Sequence, residues 1–208
     1  MRIIIFGATG GTGRELVAQA LKQGHDVSAF VRTPGRLAVA GARLRTVRGD
    51  VERAETIQAA IPGHDAVLSA LGVRQLGPTT LLSNAAREIV GTMRAHGVRR
   101  IIWESSLGVG ETRGQLGPFY NWVLFPVLLR HVFADKERQE AVIRATALDW
   151  TIVQPASLTN GSQTGTYRVG ACAGRLFPKV SRADVAHFMI EELENPRHVR
   201  QTVPLCYA

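Results

Sequence analysis

The opening residues join a short apolar run to a cluster of glycines. Residues 3–6 are apolar without alternation and mostly β-branched, which is typical of a strand buried on both faces of a parallel sheet. Four glycines then stand among the seven residues from Gly7 to Gly13. Over residues 12–23 apolar side chains recur at helical spacing, and Gly24 follows where a helix commonly ends. The stretch therefore predicts a strand, a glycine turn and a helix.

The spacing of Gly7, Gly10 and Gly13 is typical of a turn that binds the diphosphate of a dinucleotide. The first glycine allows a tight turn, the second lets the backbone approach the diphosphate, and the third lets the helix pack against the strand. The helix N-terminus adds unpaired backbone N–H groups and the positive end of its dipole. A glycine-rich connector is the alternative, but it would not explain why the glycines fall between a strand and a helix.

Two arginines follow the second predicted strand, which covers residues 26–31. In dinucleotide-binding proteins an acidic residue about 20 positions after the glycines binds the ribose hydroxyls of NAD, whereas arginine there suits the 2′-phosphate of NADP. Arg32 occupies this place, and Arg36 follows one short turn later. A planar guanidinium matches phosphate oxygens in a bidentate manner, so the pattern favours NADPH over NADH. The alternative is a solvated arginine at the end of a strand.

The remaining chain alternates between predicted strands and helices, which indicates an α/β fold with a mainly parallel sheet and right-handed crossovers. Further strands are predicted over residues 42–49, 63–70, 100–103, 149–154 and 166–169, with residues 203–205 closing the sheet edge. Helices are predicted over residues 54–61, 80–96, 135–146 and 185–193, the last one after a capping box from Ser181 to Asp184. We expect one domain over residues 1–208, with a small C-terminal lobe on the substrate side from about residue 155.

Asp50 has two possible roles after the third strand. Strand ends in such a sheet point toward the nucleotide crevice, which would place Asp50 at the adenine. It could equally cap the helix predicted over residues 54–61. Both roles stay open at this point. Gly72, at the end of the fourth strand, lets the backbone pass close to the cofactor ribose.

Charge and cysteine content limit the possible partners. The chain has a formal net charge of +8, but it holds only three lysines and its arginines are scattered, so we expect an anionic cofactor rather than nucleic acid. Cys172 and Cys206 are too few for a disulfide framework or a metal site, which favours a reducing cytoplasm. We expect no leader sequence and no membrane span. We expect the most apolar stretch, residues 119–133, to lie in the core or in a subunit contact. Part of it is also expected to form a wall of the substrate pocket.

Several motifs together resemble the atypical short-chain dehydrogenase/reductase group. They are Gly7-Ala-Thr-Gly-Gly-Thr-Gly13, Val31-Arg-Thr-Pro-Gly-Arg-Leu37, Gly49-Asp-Val51, Asp65-Ala-Val-Leu68, Pro78-Thr-Thr80, Leu148-Asp-Trp-Thr-Ile-Val153 with Pro155, and Ser181-Arg-Ala-Asp-Val-Ala186. Within this group the chain is most similar to the NAD(P)H-dependent flavin reductase and biliverdin-IXβ reductase family, and it also resembles NmrA-like proteins. The resemblance covers nearly the whole chain, except that residues 107–133 depart from it. It implies a Rossmann-type, doubly wound sheet with helices on both faces.

The resemblance also implies a set of site residues. The diphosphate would be held by Gly7, Thr9, Gly10, Gly11, Thr12 and Gly13, and the 2′-phosphate by Arg32 and Arg36. Asp50 and Val51 would meet the adenine, and Ala70, Leu71 and Gly72 the ribose. Ser105 and Ser106 would lie beside the nicotinamide, and Pro155, Ala156, Ser157 and Leu158 near its carboxamide. Lys136 and Ser157 stand where related reductases place histidines near the substrate.

The chain lacks the proton donor of ordinary short-chain dehydrogenases, a tyrosine four residues before a lysine. None of Tyr120, Tyr167 and Tyr207 has a lysine four places later. A flavin, quinone or tetrapyrrole acceptor relaxes this demand, because the reduced ring delocalises its charge and can take a proton from water. We therefore predict an NADPH-dependent reductase of such a planar acceptor, as a monomer or homodimer. The alternatives are a non-catalytic NADP(H)-sensing regulator, and a carbonyl or enone reductase in which Ser106 or Lys136 donates the proton.

Overall fold

The computed structural model describes residues 1–37, 39–73, 75–115, 128–172 and 178–207. The strands in these residues are β1 (Arg2–Phe6), β2 (Asp26–Val31), β3 (Leu44–Arg48), β4 (Ala66–Ser69), β5 (Arg100–Glu104), β6 (Asp149–Pro155), β7 (Ser157–Thr159), β8 (Arg168–Val169), β9 (Lys179–Ser181) and β10 (Gln201–Cys206). The helices are α1 (Gly11–Lys22), α2 (Ala54–Ala60), α3 (Leu81–Ala95), α4 (Arg130–Arg144) and α5 (Arg182–Glu194).

Eight of these strands form a central sheet in the order β3-β2-β1-β4-β5-β6-β10-β8. All neighbours pair in parallel except β8, which runs antiparallel to β10. From β1 the chain first adds strands on one side, β2 and β3, and then returns to add β4, β5 and β6 on the other. A crevice therefore opens between the carboxyl ends of β1 and β4, which is where doubly wound sheets bind ligands.

Helices cover both faces of the sheet. Leu16 of α1 and Met189 of α5 belong to the apolar cluster on one face, and Ile57 of α2 and Ile89 of α3 belong to the cluster on the other. The side chains of β1 alternate between the two clusters, residues 3 and 5 in the first and residues 4 and 6 in the second. Both faces of β1 are thus buried, which explains why its sequence does not alternate. The predicted α/β doubly wound architecture is confirmed.

The C-terminal part of the sheet differs from the sequence-based expectation. Residues 203–205 do not close an edge, because β10 lies between β6 and β8, and β8 takes the outer position. A separate pair of parallel strands, β7 and β9, was not predicted. These strands are only three residues long, so they carry little periodicity. The division into a main domain and a C-terminal lobe stays a prediction.

The two cysteines, which are too few for a disulfide framework, are joined to each other by a single disulfide. Both Cys172 and Cys206 are buried. They are 34 residues apart in sequence, and the antiparallel pairing of β8 with β10 brings them together. Such a pairing depends on tertiary structure and leaves no spacing pattern. The cytoplasmic location expected from the cysteine count stays a prediction. In the part of the chain that the structure describes, no helix has the length and apolar character to cross a membrane.

Candidate functional site

The glycine turn after β1 has the geometry that its sequence predicts. Gly7 has a φ of +77°, in the left-handed region that favours glycine. The Gly10 N–H donates to the Gly7 carbonyl at 2.9 Å and closes the turn. A Cβ on Gly13 would lie 2.7 Å from the carbonyl carbon of Gly7, so α1 can approach the turn only because residue 13 is glycine. Gly10 is also the N-cap of α1, so no capping side chain competes with an anion for the first N–H groups of the helix.

A cavity of about 530 Å³ opens beside this turn along the carboxyl ends of β1, β2 and β4. It brings together predicted cofactor residues from separate segments, namely Gly7, Thr9, Gly10, Arg32, Arg36, Val51, Ala70, Leu71 and Gly72. The sequence analysis did not assign seven further residues of its wall to the cofactor, namely Phe30, Val31, Gly49, Glu52, Val73, Gln75 and Leu81. The cavity lies at the topological switch point between β1 and β4, which is the expected place for a dinucleotide.

The two predicted phosphate-binding arginines both reach this cavity. Arg32 directly follows β2, and Arg36 ends a short 3₁₀ turn, Pro34–Arg36. Both side chains are exposed on the cavity wall. Two guanidinium groups and a helix N-terminus form a donor set that fits a dinucleotide with an additional phosphate. Glu52 adds a carboxylate to the same wall.

Asp50 lies beside the cavity in a hydrogen-bonded turn. Its carboxylate accepts a hydrogen bond from the Glu52 N–H at 3.1 Å, and its own N–H donates to the Thr56 hydroxyl at 3.1 Å. The N-cap of α2 is Arg53, so the capping role considered for Asp50 is wrong. Its Asx-type turn instead shapes the segment that carries Val51 and Glu52 to the cavity. Contact with adenine stays a prediction for Asp50.

The start of α1 is connected to the end of β5 by buried polar groups. The Thr12 hydroxyl donates to a Glu104 carboxylate oxygen at 3.0 Å, and the Lys136 ammonium donates to the Ser105 carbonyl at 3.0 Å. Burial raises the pKa of Glu104, and the Lys136 charge and the Thr12 hydroxyl oppose this change. Burial lowers the pKa of Lys136, and the carboxylates of Glu104, Glu140 and Asp135 oppose it. Thr12 and Lys136 thus contact protein groups that position the site.

A second cavity of about 350 Å³ lies at the ends of β5 and β6. It contains the residues predicted to surround the nicotinamide and its carboxamide, namely Ser105, Ser106, Pro155, Ala156, Ser157 and Leu158. Leu107, Leu129, Phe133 and Arg182 complete the described part of its wall. Leu129 and Phe133 come from the apolar stretch over residues 119–133. Residues 119–127 of this stretch, which include Tyr120, lie outside the described residues.

The loop over residues 107–115 is attached to β6 by hydrogen bonds. The Leu107 N–H donates to the Pro155 carbonyl at 2.9 Å, and the Thr112 hydroxyl donates to the Gln154 side chain at 2.8 Å. Leu107 and Thr112 are both buried. Of the loop residues, Leu107 lines the second cavity.

Comparisons with known proteins identify the family of the chain. A family model described as NAD(P)H-binding matches residues 7–196. The chain belongs to this family. An uncharacterized chloroplastic protein of Arabidopsis thaliana is 30% identical over 92% of this chain and 71% of its own length. Reductase pytE of Aspergillus terreus is 29% identical over 92% of this chain and 90% of its own length. The resemblance found in the sequence motifs and the prediction of a nicotinamide dinucleotide cofactor are thereby confirmed.

Solved structures share the fold of this NAD(P)H-binding protein. A short-chain dehydrogenase/reductase of Veillonella parvula, solved with NADP, has a TM-score of 0.82 at 19% identity and covers 98% of this chain and 93% of its own. ChuY, an anaerobilin reductase of Escherichia coli O157:H7, has a TM-score of 0.82 at 24% identity over 99% of this chain and 96% of its own. A candidate NADH-flavin reductase of Streptococcus pneumoniae has a TM-score of 0.80 at 23% identity over the full length of both chains.

Phe30 and Arg182 are two of the wall residues that sequence reasoning missed, and each was missed for a different reason. Phe30 lies within β2 and packs on Phe6 with ring centroids 4.7 Å apart, so from sequence it is an ordinary core residue. Arg182 follows Ser181, whose hydroxyl accepts the Asp184 N–H at 3.0 Å as the predicted capping box requires. The capping motif explained the neighbours of Arg182 but gave no indication that its own side chain reaches a cavity.

Proposed function

We propose that this NAD(P)H-binding protein is an NADPH-dependent reductase that transfers hydride to a flavin or a similar planar acceptor, such as a quinone or a tetrapyrrole. The observation that carries the proposal is that two cavities lie at the carboxyl ends of the sheet strands, one beside β1, β2 and β4 and the other beside β5 and β6. One cavity contains the glycine turn with Arg32 and Arg36. The other contains Ser105 and Ser106 between apolar side chains.

The first cavity supports NADPH over NADH. The first N–H groups of α1 would hold the diphosphate, and Arg32 and Arg36 would hold the 2′-phosphate through charge-assisted hydrogen bonds. Glycine at position 7 lets the turn after β1 approach the segment that follows β4, because a Cβ on residue 7 would lie 2.9 Å from the Leu71 nitrogen. The bound cofactor supplies a hydride, and the residues of this chain position it.

The second cavity supports a planar acceptor. Leu129, Phe133 and Leu158 provide apolar walls, which suit an aromatic ring system. Ser106 lines the cavity, and among the described residues its hydroxyl makes one long contact, of 3.5 Å, to the Leu107 carbonyl, so the hydroxyl can orient a ligand. The ammonium of Lys136 is directed to the Ser105 backbone rather than to the cavity wall, which supports a positioning role at the end of β5. An acceptor that is protonated from water requires no more than stacking and orientation from these residues.

The names of related proteins agree with this class of reaction. The relative from Aspergillus terreus is named as a reductase, and two proteins of the same fold are described as an anaerobilin reductase and a candidate NADH-flavin reductase. A shared fold does not by itself identify a substrate. The assignment to this chain therefore depends on the shape and lining of its second cavity.

Two measurements test the proposal. Calorimetric titration should show binding of NADPH, and absorbance at the reduced nicotinamide band should fall when FMN, riboflavin or a benzoquinone is added to enzyme and NADPH. A Lys136→Met variant that retains turnover would support positioning without proton donation. If NADPH binds but none of these acceptors is reduced, the reductase proposal is refuted. Equal affinity for NADPH and NADP⁺ together with such inactivity would favour a cofactor-sensing protein.

A further inference from the structure

Arg182 lies in the first turn of α5, and its side chain lies against the N-terminus of α1. Its side chain crosses the N-terminus of α1, where a Cβ on Gly11 would lie 2.6 Å from the Arg182 Nε. Glycine at position 11 thus leaves the space that the arginine occupies. The same side chain lines the second cavity. Two separate segments of the chain therefore cooperate to bring a guanidinium to the acceptor side of the site.

The Arg182 guanidinium retains free hydrogen-bonding capacity. Among the described residues its only hydrogen-bond partner is Asn160, whose side-chain oxygen accepts from Nη1 at 2.6 Å. A guanidinium has five N–H donors, so several remain for a ligand. Arg182 is also the one charged residue among the described residues that line the second cavity. The cavity thus combines apolar walls with a single oriented positive charge.

Helix stability does not account for this arginine. A positive charge in the first turn of a helix is opposed by the helix dipole, which favours acidic residues there. A solvated arginine at this position would extend away from the helix end. Instead the side chain packs across Gly11 and is fixed by Asn160. The dipole of α5 opposes this charge, whereas the buried Glu104 carboxylate attracts it. An anion bound in the second cavity would give Arg182 a further charged partner.

We propose that Arg182 binds an oxyanion, either phosphate or carboxylate, on the acceptor that occupies the second cavity. This inference rests on the proposed function, because it concerns the substrate of the same site. Arg182 does not line the first cavity, where Arg32 and Arg36 are already proposed to bind the 2′-phosphate of the cofactor. The acceptor therefore carries an acidic group beside its planar ring, and neutral rings bind more weakly.

Flavin binding in the presence of saturating NADP⁺ tests this inference without requiring turnover. The probes are FMN, which carries a phosphate, carboxymethylflavin, which carries a carboxylate, and neutral riboflavin. Their affinities are measured by quenching of flavin fluorescence. A charge-assisted hydrogen bond predicts that wild-type protein binds at least one anionic probe about tenfold or more tightly than riboflavin. The stronger of the two anionic probes identifies phosphate or carboxylate as the preferred group.

Variants separate charge recognition from a general structural effect. Arg182→Gln should remove the preference for the anionic probe and leave riboflavin affinity within about twofold. Arg182→Lys should retain part of the preference, because it keeps the charge but loses the planar fork. The matched control is Arg87→Gln, since Arg87 is an exposed helical arginine that donates to the side chain of Asn84 at 2.8 Å. This control should bind all three probes as the wild type does.

Several outcomes would overturn the inference. They are equal wild-type affinity for the charged and neutral probes, an anion preference that survives Arg182→Gln, and failure to bind any flavin. A loss of NADP⁺ affinity in Arg182→Gln that matches its loss of FMN affinity would also overturn it, by assigning the arginine to the cofactor diphosphate. In contrast, an Arg182-dependent preference in a protein that does not oxidise NADPH supports the inference and refutes only the reductase proposal.

Discussion

Replacement of Arg32 and Arg36 by glutamine should remove the preference for NADPH over NADH. Both side chains are exposed on the wall of the dinucleotide cavity, so their interaction with phosphate is screened by water. At about 4 Å a pair of unit charges in water contributes about 1 kcal/mol, and a phosphate monoester carries nearly two charges. Each arginine should therefore contribute about 1–2 kcal/mol, and each single variant should weaken NADPH binding about 5- to 30-fold.

Calorimetric titration with NADPH and NADH gives the comparison directly. The double variant should lose about 100-fold in NADPH affinity, whereas NADH affinity should stay within about twofold because NADH lacks the 2′-phosphate. The difference should shrink in 1 M salt, where the Debye length falls to about 3 Å. Arg45→Gln is the control, because Arg45 is an exposed arginine in a groove at the amino ends of the strands. Equal losses for both cofactors, or no loss for NADPH, would contradict the assigned role of the two arginines.

Three further changes test the supports of the site. Asp135→Ala should lower the free energy of unfolding by about 3–5 kcal/mol in urea titrations, because its fully buried carboxylate accepts hydrogen bonds from backbone and hydroxyl donors at the start of α3. Gly13→Ala should cost about 1–3 kcal/mol of stability and weaken NADPH binding in calorimetry, since its Cβ would lie 2.7 Å from the Gly7 carbonyl carbon. Burial acts to raise the pKa of Asp184, but hydrogen bonds, including one from the Tyr207 hydroxyl at 2.7 Å, outweigh it and hold the pKa below its ordinary 3.8. The hydrogen bonds to the ionised Asp184 carboxylate stabilise the fold above pH 3.8, and this contribution is lost as the pH falls through the lowered pKa. Tyr207→Phe should therefore lower the free energy of unfolding by about 1.5–3 kcal/mol at pH 7 and by less in acid. Unfolding measured at a series of pH values tests this. A loss below about 0.5 kcal/mol for Asp135→Ala, unchanged NADPH affinity for Gly13→Ala, or a pH-independent effect for Tyr207→Phe would contradict the respective argument.

The buried groups around Lys136 give the end of β5 a defined position. Its ammonium binds the Ser105 carbonyl, and the residue before Ser105 is Glu104, which binds Thr12 of α1. The segment that carries Ser105 and Ser106 into the second cavity is thus connected both to α4 and to the glycine turn. This connection explains how residues without contact to a ligand can fix the relative position of the two cavities.

The dinucleotide half of the site could be predicted from local sequence. Each of the three glycines meets a requirement of the nearby backbone. Gly7 adopts a positive φ, Gly10 closes the turn by a hydrogen bond to Gly7, and Gly13 lets α1 approach the turn. Arg32 likewise follows its strand directly. Requirements of this kind depend on the identity of individual residues, so they are visible in the order of the amino acids.

Only the tertiary structure determined the second cavity and the C-terminal packing. Arg182 reaches the second cavity because α5 packs beside α1 and residue 11 has no side chain. Cys172 meets Cys206 because β8 pairs with β10, and β10 itself lies inside the sheet rather than at its edge. Each of these contacts joins residues far apart in the chain. Their distance is set by the packing of whole elements, and no local pattern of residue types encodes it.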